Sequence, residues 1–509
     1  MRPLAATFLL AFVHVQPAPA AESAAMNALA SITSADLRRH AEHLADDTLE
    51  GREAGTRGGQ AAAHYIGREF QRHHLAGGAN ARSYFQTFGA QYRNILGLLE
   101  GTDPQLKDEV IVVGAHYDHV GYGNAQNSYG PTGYIHNGAD DNASGVAGLL
   151  EIVEAFSRFE QKPRRTVLFA FWDGEEKGLL GSEHWVAHPT VPLEKVKLAV
   201  NLDMIGRLKR DRMETYGIRT AYGLRRLLSL SNAESDLTFD FSWTMREDSD
   251  HYSFYKRNVP VLMLHTGLHS DYHRPSDDVE KLDFVGMERI TRMLFDLVRN
   301  VANEPRLSGF RGAARSEASE SRQRREQPLT PVAPRLGVVW NQSDEGQGRG
   351  LRVLNVASGS SASRAGLRAG DRILRFNGND VTLGADLRGL VLAAEKPVTL
   401  TIARDGSAQP INLSFELVGP PVRLGLSWRS DDAEPRTVIV SRVVPSSPVA
   451  KAGIQVNDRI YEVSGRPFAN DAEFRRLLAD ANGKELDFLT EREGRVRTVP
   501  IKFPDSVSK

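Results

Sequence analysis

Three polar side chains, His116, Asp118 and His119, follow directly after the apolar run Val110–Val113. Polar groups at the end of a hydrophobic strand are costly to bury unless they have a partner. A histidine with a carboxylate nearby is a common arrangement of a metal ligand and the group that orients its ring. This stretch therefore indicates metal binding at the end of the strand.

Other acidic and histidine residues follow the later apolar runs of the same region. They are Asp173, Glu175, Glu176, Asp203, His265, His269, Asp271 and His273, and the pair Asp140-Asp141 lies in a glycine-rich turn. So many carboxylates in one place would repel one another unless a cation neutralised them. Histidine and carboxylate ligands suit zinc, and also cobalt or manganese. The chain has no cysteine, which excludes thiolate ligands.

Alternating helices and short strands must position these side chains. The patterns predict helices at Leu37–Leu49, Gly58–His74, Gly145–Phe156 and Ala221–Ser231, and strands at Asn94–Leu99, Val110–Val113, Thr166–Phe171, Leu198–Asn201 and Val259–Leu264. This alternation is typical of an α/β domain with a mixed, largely parallel sheet flanked by helices. Ligand sites of such sheets lie at the carboxyl ends of the strands, where we expect the polar residues to meet.

Five motifs of this region resemble those of the M28 zinc peptidases, a family of two-metal aminopeptidases. They are GAHYDH (114–119), GADDNASG (138–145), DGEEKGLLGS (173–182), NLDMIG (201–206) and DYHRPSDD (271–278). They occur in the order and spacing of the family over roughly 250 residues. The resemblance implies the zinc-peptidase fold with two zinc ions per chain.

The resemblance also implies roles for single residues. It implies five metal ligands: His116, Asp140, Glu176, Asp203 and His273. Among these, the Asp140 carboxylate bridges both metals. Glu175 is implied as the general base, Asp118 as the carboxylate that orients His116, and Tyr272 as a group that helps to hold a developing oxyanion. For His119, His136, His265 and His269 we expect ordinary packing.

The glycine-rich stretch GREAGTRGG (51–59) has the glycines of a phosphate-binding loop. It lacks the GxxxxGK[ST] pattern and follows no predicted strand. We interpret it instead as a turn before the helix Gly58–His74.

The chain repeats itself after residues 304–333, which are rich in Arg, Ser, Glu and Pro and predict a solvated linker. RLGVVW (335–340) returns at 423–428 as RLGLSW, and AGLRAGDRI (365–373) returns at 452–460 as AGIQVNDRI. Both copies resemble PDZ domains, small mainly-β modules that bind peptides by strand addition. The resemblance implies two peptide-binding loops, formed by Arg335, Leu336, Gly337 and Val338, and by Arg423, Leu424, Gly425 and Leu426.

Composition narrows the function classes. With 63 basic and 64 acidic residues the net charge is −1, which argues against nucleic acid or membrane surfaces as partners. Arg2, the apolar stretch Leu4–Val13 and Ala18-Pro19-Ala20 fit a cleaved signal peptide, which predicts an exported, periplasmic or secreted protein. No later run is apolar enough to form a transmembrane anchor.

The sequence therefore predicts a signal peptide (1–20), a zinc peptidase domain (21–303), a linker (304–333) and two PDZ-like domains (334–419 and 420–505). The expected function is an exported aminopeptidase acting on peptides with free N-termini, whose PDZ-like domains bind peptide segments or partner proteins. A carboxypeptidase or glutaminyl cyclase of the same fold stays open as an alternative. So does a PDZ adaptor built on a peptidase fold of minor activity.

Overall fold

A computed structural model describes residues 19–80, 82–331, 334–348, 350–395, 397–419, 421–422, 424–480 and 485–502. Most of the predicted signal peptide lies outside these ranges. The chain divides into two compact units. Unit 1 comprises Met1–Ala221 and Ser231–Arg315, and unit 2 comprises Tyr222–Leu230 and Ser316–Lys509.

Unit 1 is built on a mixed sheet, which within the described residues has nine strands. They are β1 (Ala76–Gly77), β2 (Phe85–Phe88), β3 (Tyr92–Leu99), β4 (Val110–His116), β5 (Thr166–Trp172), β6 (Val196–Leu202), β7 (Arg212–Tyr216), β8 (Thr238–Phe241) and β9 (Val261–His265). Their order is β1-β3-β5-β4-β6-β9-β7-β8, and β2 pairs with β3. The central strands β5, β4, β6 and β9 are parallel, whereas β3 and β7 join them antiparallel. The predicted mixed α/β sheet is confirmed.

Helices flank this sheet. They are α1 (Pro19–Ser31), α2 (Ser34–Leu44), α3 (Arg57–Arg72), α4 (Gly145–Arg158), α5 (Leu180–Ala187), α7 (His251–Lys256) and α8 (Phe284–Asn303), whereas α6 (Leu224–Ser231) lies almost wholly in unit 2. Side chains that precede helices cap several of them: Thr56 accepts the Gly59 N–H at the start of α3, and Asp283 accepts the Gly286 N–H at the start of α8. None of the described helices is long and apolar enough to span a membrane.

The central strands are continuous apolar runs because both faces of a parallel sheet are buried. All seven residues of β4 and all seven of β5 are buried. Polar residues begin where these strands end, with His116 closing β4 and Asp173 following β5. The carboxyl ends of β4, β5, β6 and β9 therefore bring the predicted clusters to one edge of the sheet, as expected.

Unit 2 contains two similar antiparallel sheets, each of six strands within the described residues. The first is β10 (Val338–Trp340), β11 (Leu351–Val356), β12 (Arg372–Phe376), β13 (Asn379–Asp380), β14 (Val398–Ala403) and β15 (Ile411–Phe415). The second is β16 (Leu426–Arg429), β17 (Val438–Val443), β18 (Arg459–Val463), β19 (Arg466–Pro467), β20 (Leu486–Arg492) and β21 (Arg495–Ile501). Each has its own apolar core. The helices α10 (Ser361–Arg364) and α11 (Gly384–Ala393) belong to the first module, and α12 (Pro448–Lys451) and α13 (Asp471–Asp480) to the second.

The segment predicted as a solvated linker holds ordered structure. A short turn of helix spans Gly312–Arg315, and α9 spans Ser319–Glu326. Glu326 at the end of α9 lies 2.8 Å from the guanidinium of Arg459 in the second module. Composition alone does not predict this pairing, because a charged segment has the same composition whether its side chains are solvated or contact a distant arginine.

Candidate metal centre

The end of β4 and the residue after β6 bring the first three ligand candidates together. His116 Nε2 lies 3.4 Å from Asp141 Oδ1 and 3.5 Å from Asp203 Oδ1. All three residues are buried, and they form a group that could hold a metal ion. Asp203 is fixed further by Ser249, whose hydroxyl donates to its Oδ2 at 2.5 Å.

A second group lies on the other side of Asp141. Asp141 Oδ2 is 3.1 Å from His273 Nε2, which is itself 3.2 Å from Glu176 Oε2. The other ring nitrogen of His273 contacts the Asn127 carbonyl oxygen at 3.0 Å, which sets the direction of the ring. Asp141 thus turns one carboxylate oxygen to each group. We name His116, Asp141, Glu176, Asp203 and His273 the metal-ligand cluster.

The assignment of Asp140 as the bridging carboxylate is wrong. Asp140 Oδ1 accepts the Gly206 N–H at 2.6 Å and the Ser144 hydroxyl at 3.0 Å, and its Oδ2 lies 3.1 Å from His269 Nε2. These contacts direct its carboxylate away from the cluster. Its neighbour Asp141 takes the shared position, because consecutive residues of this turn point in different directions.

Asp118 contacts His116 through its backbone carbonyl oxygen and not, as expected, through its carboxylate. His116 Nδ1 is 3.2 Å from the backbone carbonyl oxygen of Asp118 and 3.9 Å from its Oδ1. The Asp118 carboxylate instead accepts the backbone N–H groups of Glu175, at 3.0 Å, and Glu176, at 3.4 Å. Asp118 therefore connects the loop after β4 to the loop after β5 and sets the direction of both glutamates.

Glu175 lines the pocket beside the cluster, together with His116, Asp141 and Asp203. Burial, and then the neighbouring carboxylates, raise the pKa of Glu175 well above the usual range of a glutamate. A carboxyl group with a raised pKa that is not itself placed among the ligands is suited to accept and return a proton.

Tyr272 lines the same pocket, and its ring stacks on that of His273 with centroids 3.9 Å apart. Burial, and then the carboxylates of Asp141 and Glu176, raise the pKa of the Tyr272 hydroxyl. It therefore remains a proton donor at neutral pH, as a group that stabilises an oxyanion must be.

His119 is closer to the cluster than the sequence indicates. Its Nδ1 lies 2.9 Å from Glu176 Oε1 and 3.7 Å from Asp141 Oδ2, and its Nε2 is buried without a hydrogen-bond partner. His119, Asp141 and Glu176 form a second group that could hold a metal ion. The only signal in the sequence is its place in HYDH. Elsewhere, His136 contacts the Ser128 hydroxyl and the Tyr134 carbonyl, as ordinary packing predicts.

The charge balance of the cluster fits a divalent cation. Burial, which raises the pKa of Asp141, is outweighed by hydrogen bonds with His116 and His273, so that this pKa lies well below its usual value. Burial lowers the pKa of His273, but its hydrogen bonds with Asp141 and Glu176 outweigh burial and raise this pKa to about 10. The carboxylates thus keep protons on the histidine nitrogens, at positions that a metal ion would take. Imidazole and carboxylate together are a donor set that zinc accepts.

The two predicted peptide-binding loops are only partly described. Arg335 is buried, and its guanidinium donates to the carbonyl oxygens of Leu392, in the last turn of α11, and of Ala394, just after it, so its side chain is committed to the module. Gly337 and its counterpart Gly425 have φ of +79° and +84°, which favours glycine. Arg423 lies outside the described residues.

Comparison with known proteins identifies three segments. Residues 94–298 match the model of peptidase family M28, and residues 334–415 and 422–503 match that of the PDZ domain. Leucine aminopeptidase 1 of Trichophyton rubrum is 28% identical over 247 residues, which cover 44% of this chain and 61% of that protein. A probable leucine aminopeptidase 2 of Trichophyton verrucosum is 33% identical over 187 residues, covering 34% of this chain and 33% of that protein.

Among solved structures, the LapA aminopeptidase of Legionella pneumophila is 20% identical, with a TM-score of 0.47, covering 59% of this chain and 78% of that one. A glutaminyl cyclase of Porphyromonas gingivalis is 18% identical, with a TM-score of 0.44, covering 52% of this chain and 97% of that one. The chain spans about three fifths of the first of these curated relatives. It contains an M28 peptidase domain followed by two PDZ domains.

Proposed function

We propose that this protein is a two-zinc aminopeptidase that removes N-terminal residues from peptides. The observation that carries the proposal is the position of Asp141, whose two carboxylate oxygens face two separate groups of histidine and carboxylate. The relatives named as leucine aminopeptidases support the same reaction. The full ligand set would be the metal-ligand cluster, with His119 beside Glu176.

The chemistry that two bound zinc ions supply is polarisation of a peptide carbonyl and a lowered pKa for water. Glu175 takes the proton of the attacking water and delivers it to the leaving amine, since its pKa is raised and it lines the pocket. Tyr272 lines the same pocket and keeps a neutral hydroxyl, which would donate to the oxygen that gains charge. Asp118 keeps the Glu175 backbone in place.

The pocket beside the cluster is lined mainly by polar side chains, and Met204, Met263 and Leu268 add a small apolar part. Arg246 and Asp248 also line it, and these two side chains lie 3.7 Å from each other. Within this polar lining, the three apolar side chains offer a place for the side chain of an apolar N-terminal residue.

Activity on matched substrates tests the proposal. The purified full chain should hydrolyse amino-acyl substrates with a free N-terminus and not their N-acetylated counterparts. Activity should disappear after treatment with a strong chelator and return with zinc or cobalt. Equal hydrolysis of free and blocked substrates, or full activity in protein shown by elemental analysis to be metal-free, would rule the proposal out.

The proposed role of the PDZ domains is to bind extended peptide segments or partner proteins. Among the described residues, β10 pairs only with β11, and β16 only with β17, so each sheet has an edge to which a peptide strand can add. Val339 of β10 is 56% exposed. Binding of labelled peptides of free and amidated C-terminus tests this role, because a carboxylate-binding loop should distinguish the two.

The proposal includes export to the periplasm or the medium, which is supported by the pattern of residues 1–20 alone. Fractionation of cells that express the full chain tests it, with N-terminal sequencing of the exported form expected to begin near Ala21.

A further inference from the structure

The stretch GREAGTRGG, which the proposed function does not use, places a wholly buried arginine beneath the candidate metal centre. Arg52 has no exposed surface. Its Nε donates to the Tyr117 carbonyl at 2.9 Å, its Nη2 to the Gly138 carbonyl at 2.9 Å, and its Nη1 to the Asn137 and Leu44 carbonyls, each at 2.6 Å. One guanidinium thus joins α2, the loop after β4 and the turn before Asp141.

The acceptors of Arg52 lie next to the ligands in sequence. Tyr117 lies between His116 and Asp118, and Gly138 lies three residues before Asp141. The backbone of Gly51 and Arg52 also contacts the loop after β4. The His119 N–H donates to the Arg52 carbonyl at 3.2 Å, and the Gly121 N–H donates to the Gly51 carbonyl at 3.1 Å.

The backbone of this turn adopts an uncommon conformation to deliver the side chain. Glu50, Gly51 and Arg52 have φ of +52°, +67° and +49° in succession. Such a run is sparsely populated and persists where the surrounding structure requires it. At Gly51 a Cβ atom would come within 2.5 Å of the His136 carbonyl oxygen, so only glycine fits there.

Arg52 also carries charge. The four hydrogen bonds of its guanidinium go to neutral carbonyl oxygens, while the carboxylates of Asp141, Asp118 and Glu176 act on it from farther away. Burial lowers the pKa of Arg52 to about 10, and those carboxylates limit the fall, so the group stays charged at neutral pH. A fixed positive charge behind the cluster therefore offsets part of its negative charge.

We propose that Arg52 is a positioning residue that sets the distance between the loop carrying His116 and the turn carrying Asp141 before any metal arrives. A planar fork that donates in several directions suits this role, and lysine cannot reproduce it. The inference rests on the proposed function only in that the two loops are taken to hold metal.

Metal binding to the full chain tests the inference. We would compare Arg52→Lys with Arg165→Lys in metal-free protein, by Co²⁺ absorption titration and equilibrium dialysis against Zn²⁺. Arg165 is the matched control: it is 1% exposed and donates to Glu109 and to the carbonyl oxygens of Val301 and Glu304, at the amino end of β5 and away from the cluster.

Arg52→Lys should bind Co²⁺ and Zn²⁺ about 10- to 100-fold more weakly than the unchanged chain and should alter the Co²⁺ spectrum, because loss of outer contacts typically costs this much. Arg165→Lys should keep the affinity of the unchanged chain even where it lowers thermal stability. Affinity and spectrum of Arg52→Lys equal to those of the unchanged chain would overturn the inference. Failure of the unchanged chain to bind metal would contradict the proposed function instead.

Hydrogen exchange of the unchanged chain provides a second test that does not depend on the folding of a variant. The amides of His119 and Gly121, which donate to the turn of Arg52, should be protected in metal-free protein as strongly as in zinc-loaded protein. Exchange that slows only after zinc is added would show that metal, and not Arg52, orders these loops.

Discussion

Two clusters of buried charge in this chain differ in the groups that neutralise their carboxylates. In the metal-ligand cluster of unit 1, Asp141, Glu176 and Asp203 face histidines, which are neutral unless protonated. In unit 2, the carboxylates face arginines. Glu491 is wholly buried and receives both Nε and Nη2 of Arg225, at 2.9 and 3.0 Å.

The cluster of unit 2 extends over several segments of the chain. Arg459 contacts both carboxylate oxygens of Glu434, each at 3.1 Å, and Glu326 of α9 at 2.8 Å. We name Arg225, Glu326, Glu434, Arg459 and Glu491 the arginine–carboxylate network. Because Arg225 lies on α6 and Glu326 on α9, the second PDZ domain is joined in unit 2 to segments outside its own repeat.

The comparison distinguishes buried carboxylates that can bind a ligand from buried carboxylates that stabilise the fold. A carboxylate paired with arginine in a bidentate contact is satisfied within the chain, since arginine stays charged. A carboxylate paired with histidine is satisfied only while the histidine holds a proton, and a metal ion competes for the same position. Burial alone therefore does not mark the functional site. What distinguishes it, among the described contacts, is that its carboxylates pair directly with histidines and not with arginine or lysine.

The largest effect is expected at Glu175, a carboxylate that lines the pocket beside the cluster and is assigned to neither group of ligands. Glu175→Gln should lower kcat by at least about 100- to 10,000-fold, because general-base catalysis contributes this much. Metal content, measured by elemental analysis, should stay unchanged. Glu176→Gln serves as the contrast and should lose metal as well as activity; the reverse pattern would exchange the two roles.

The next effect concerns the arginine–carboxylate network. Arg225→Met should destabilise unit 2 by about 3–5 kcal/mol, because it leaves Glu491 buried without its cation. Urea unfolding, monitored by hydrogen exchange in peptides of unit 2, measures the loss of free energy of unfolding. The double variant Arg225→Met with Glu491→Gln should recover part of it. No change in the single variant would show that the network does not stabilise the unit.

Acid should weaken the same network. Burial, which raises the pKa of Glu326, is outweighed by Arg459 and Arg322, so this pKa falls to about 2 from an ordinary 4.5. The stabilisation is thus fully present above about pH 4.5 and is lost as the pH falls towards 2. Glu326→Gln should flatten the dependence of unit 2 stability on pH over that window, whereas an unchanged slope would place the acid-sensitive group elsewhere.

An exposed ion pair of the first PDZ domain provides the smallest effect. Arg375 and Asp380 lie 2.7 Å apart, but their side chains are 57% and 74% exposed. Arg375→Met should change the stability of unit 2 by about 0–1 kcal/mol, as is usual for surface pairs. An effect as large as that of Arg225→Met would show that burial does not determine how much an ion pair stabilises unit 2.

Sequence patterns predicted the elements of unit 1 well where apolar runs were continuous. The runs at 110–113 and 166–171 are the cores of β4 and β5, and the helix expected at Gly145–Phe156 is α4. The outer strands β7 and β8 were not predicted, because short strands at the side of a sheet carry a weaker apolar signal.

The structure brings His116, Glu176, Asp203 and His273 together as expected but places Asp141 where Asp140 was predicted and adds His119, and these differences have a common cause. Asp140 and Asp141 are equivalent in sequence, and only the direction of the turn decides which carboxylate is shared. Likewise, the pairing of Arg225 with Glu491 spans 266 positions, and the four carbonyl contacts of Arg52 depend on backbone conformation. Such contacts leave no local pattern in a single sequence.

The most direct test of the account is the number of metal ions that each aspartate variant holds. Metal-free protein would be loaded with zinc, dialysed and analysed for zinc per chain. The account predicts two ions in the unchanged chain, and loss of both in Asp141→Asn, because Asp141 faces both groups. Asp140→Asn should retain both. Two ions retained in Asp141→Asn, or a single ion in the unchanged chain, would contradict a centre built around that shared carboxylate.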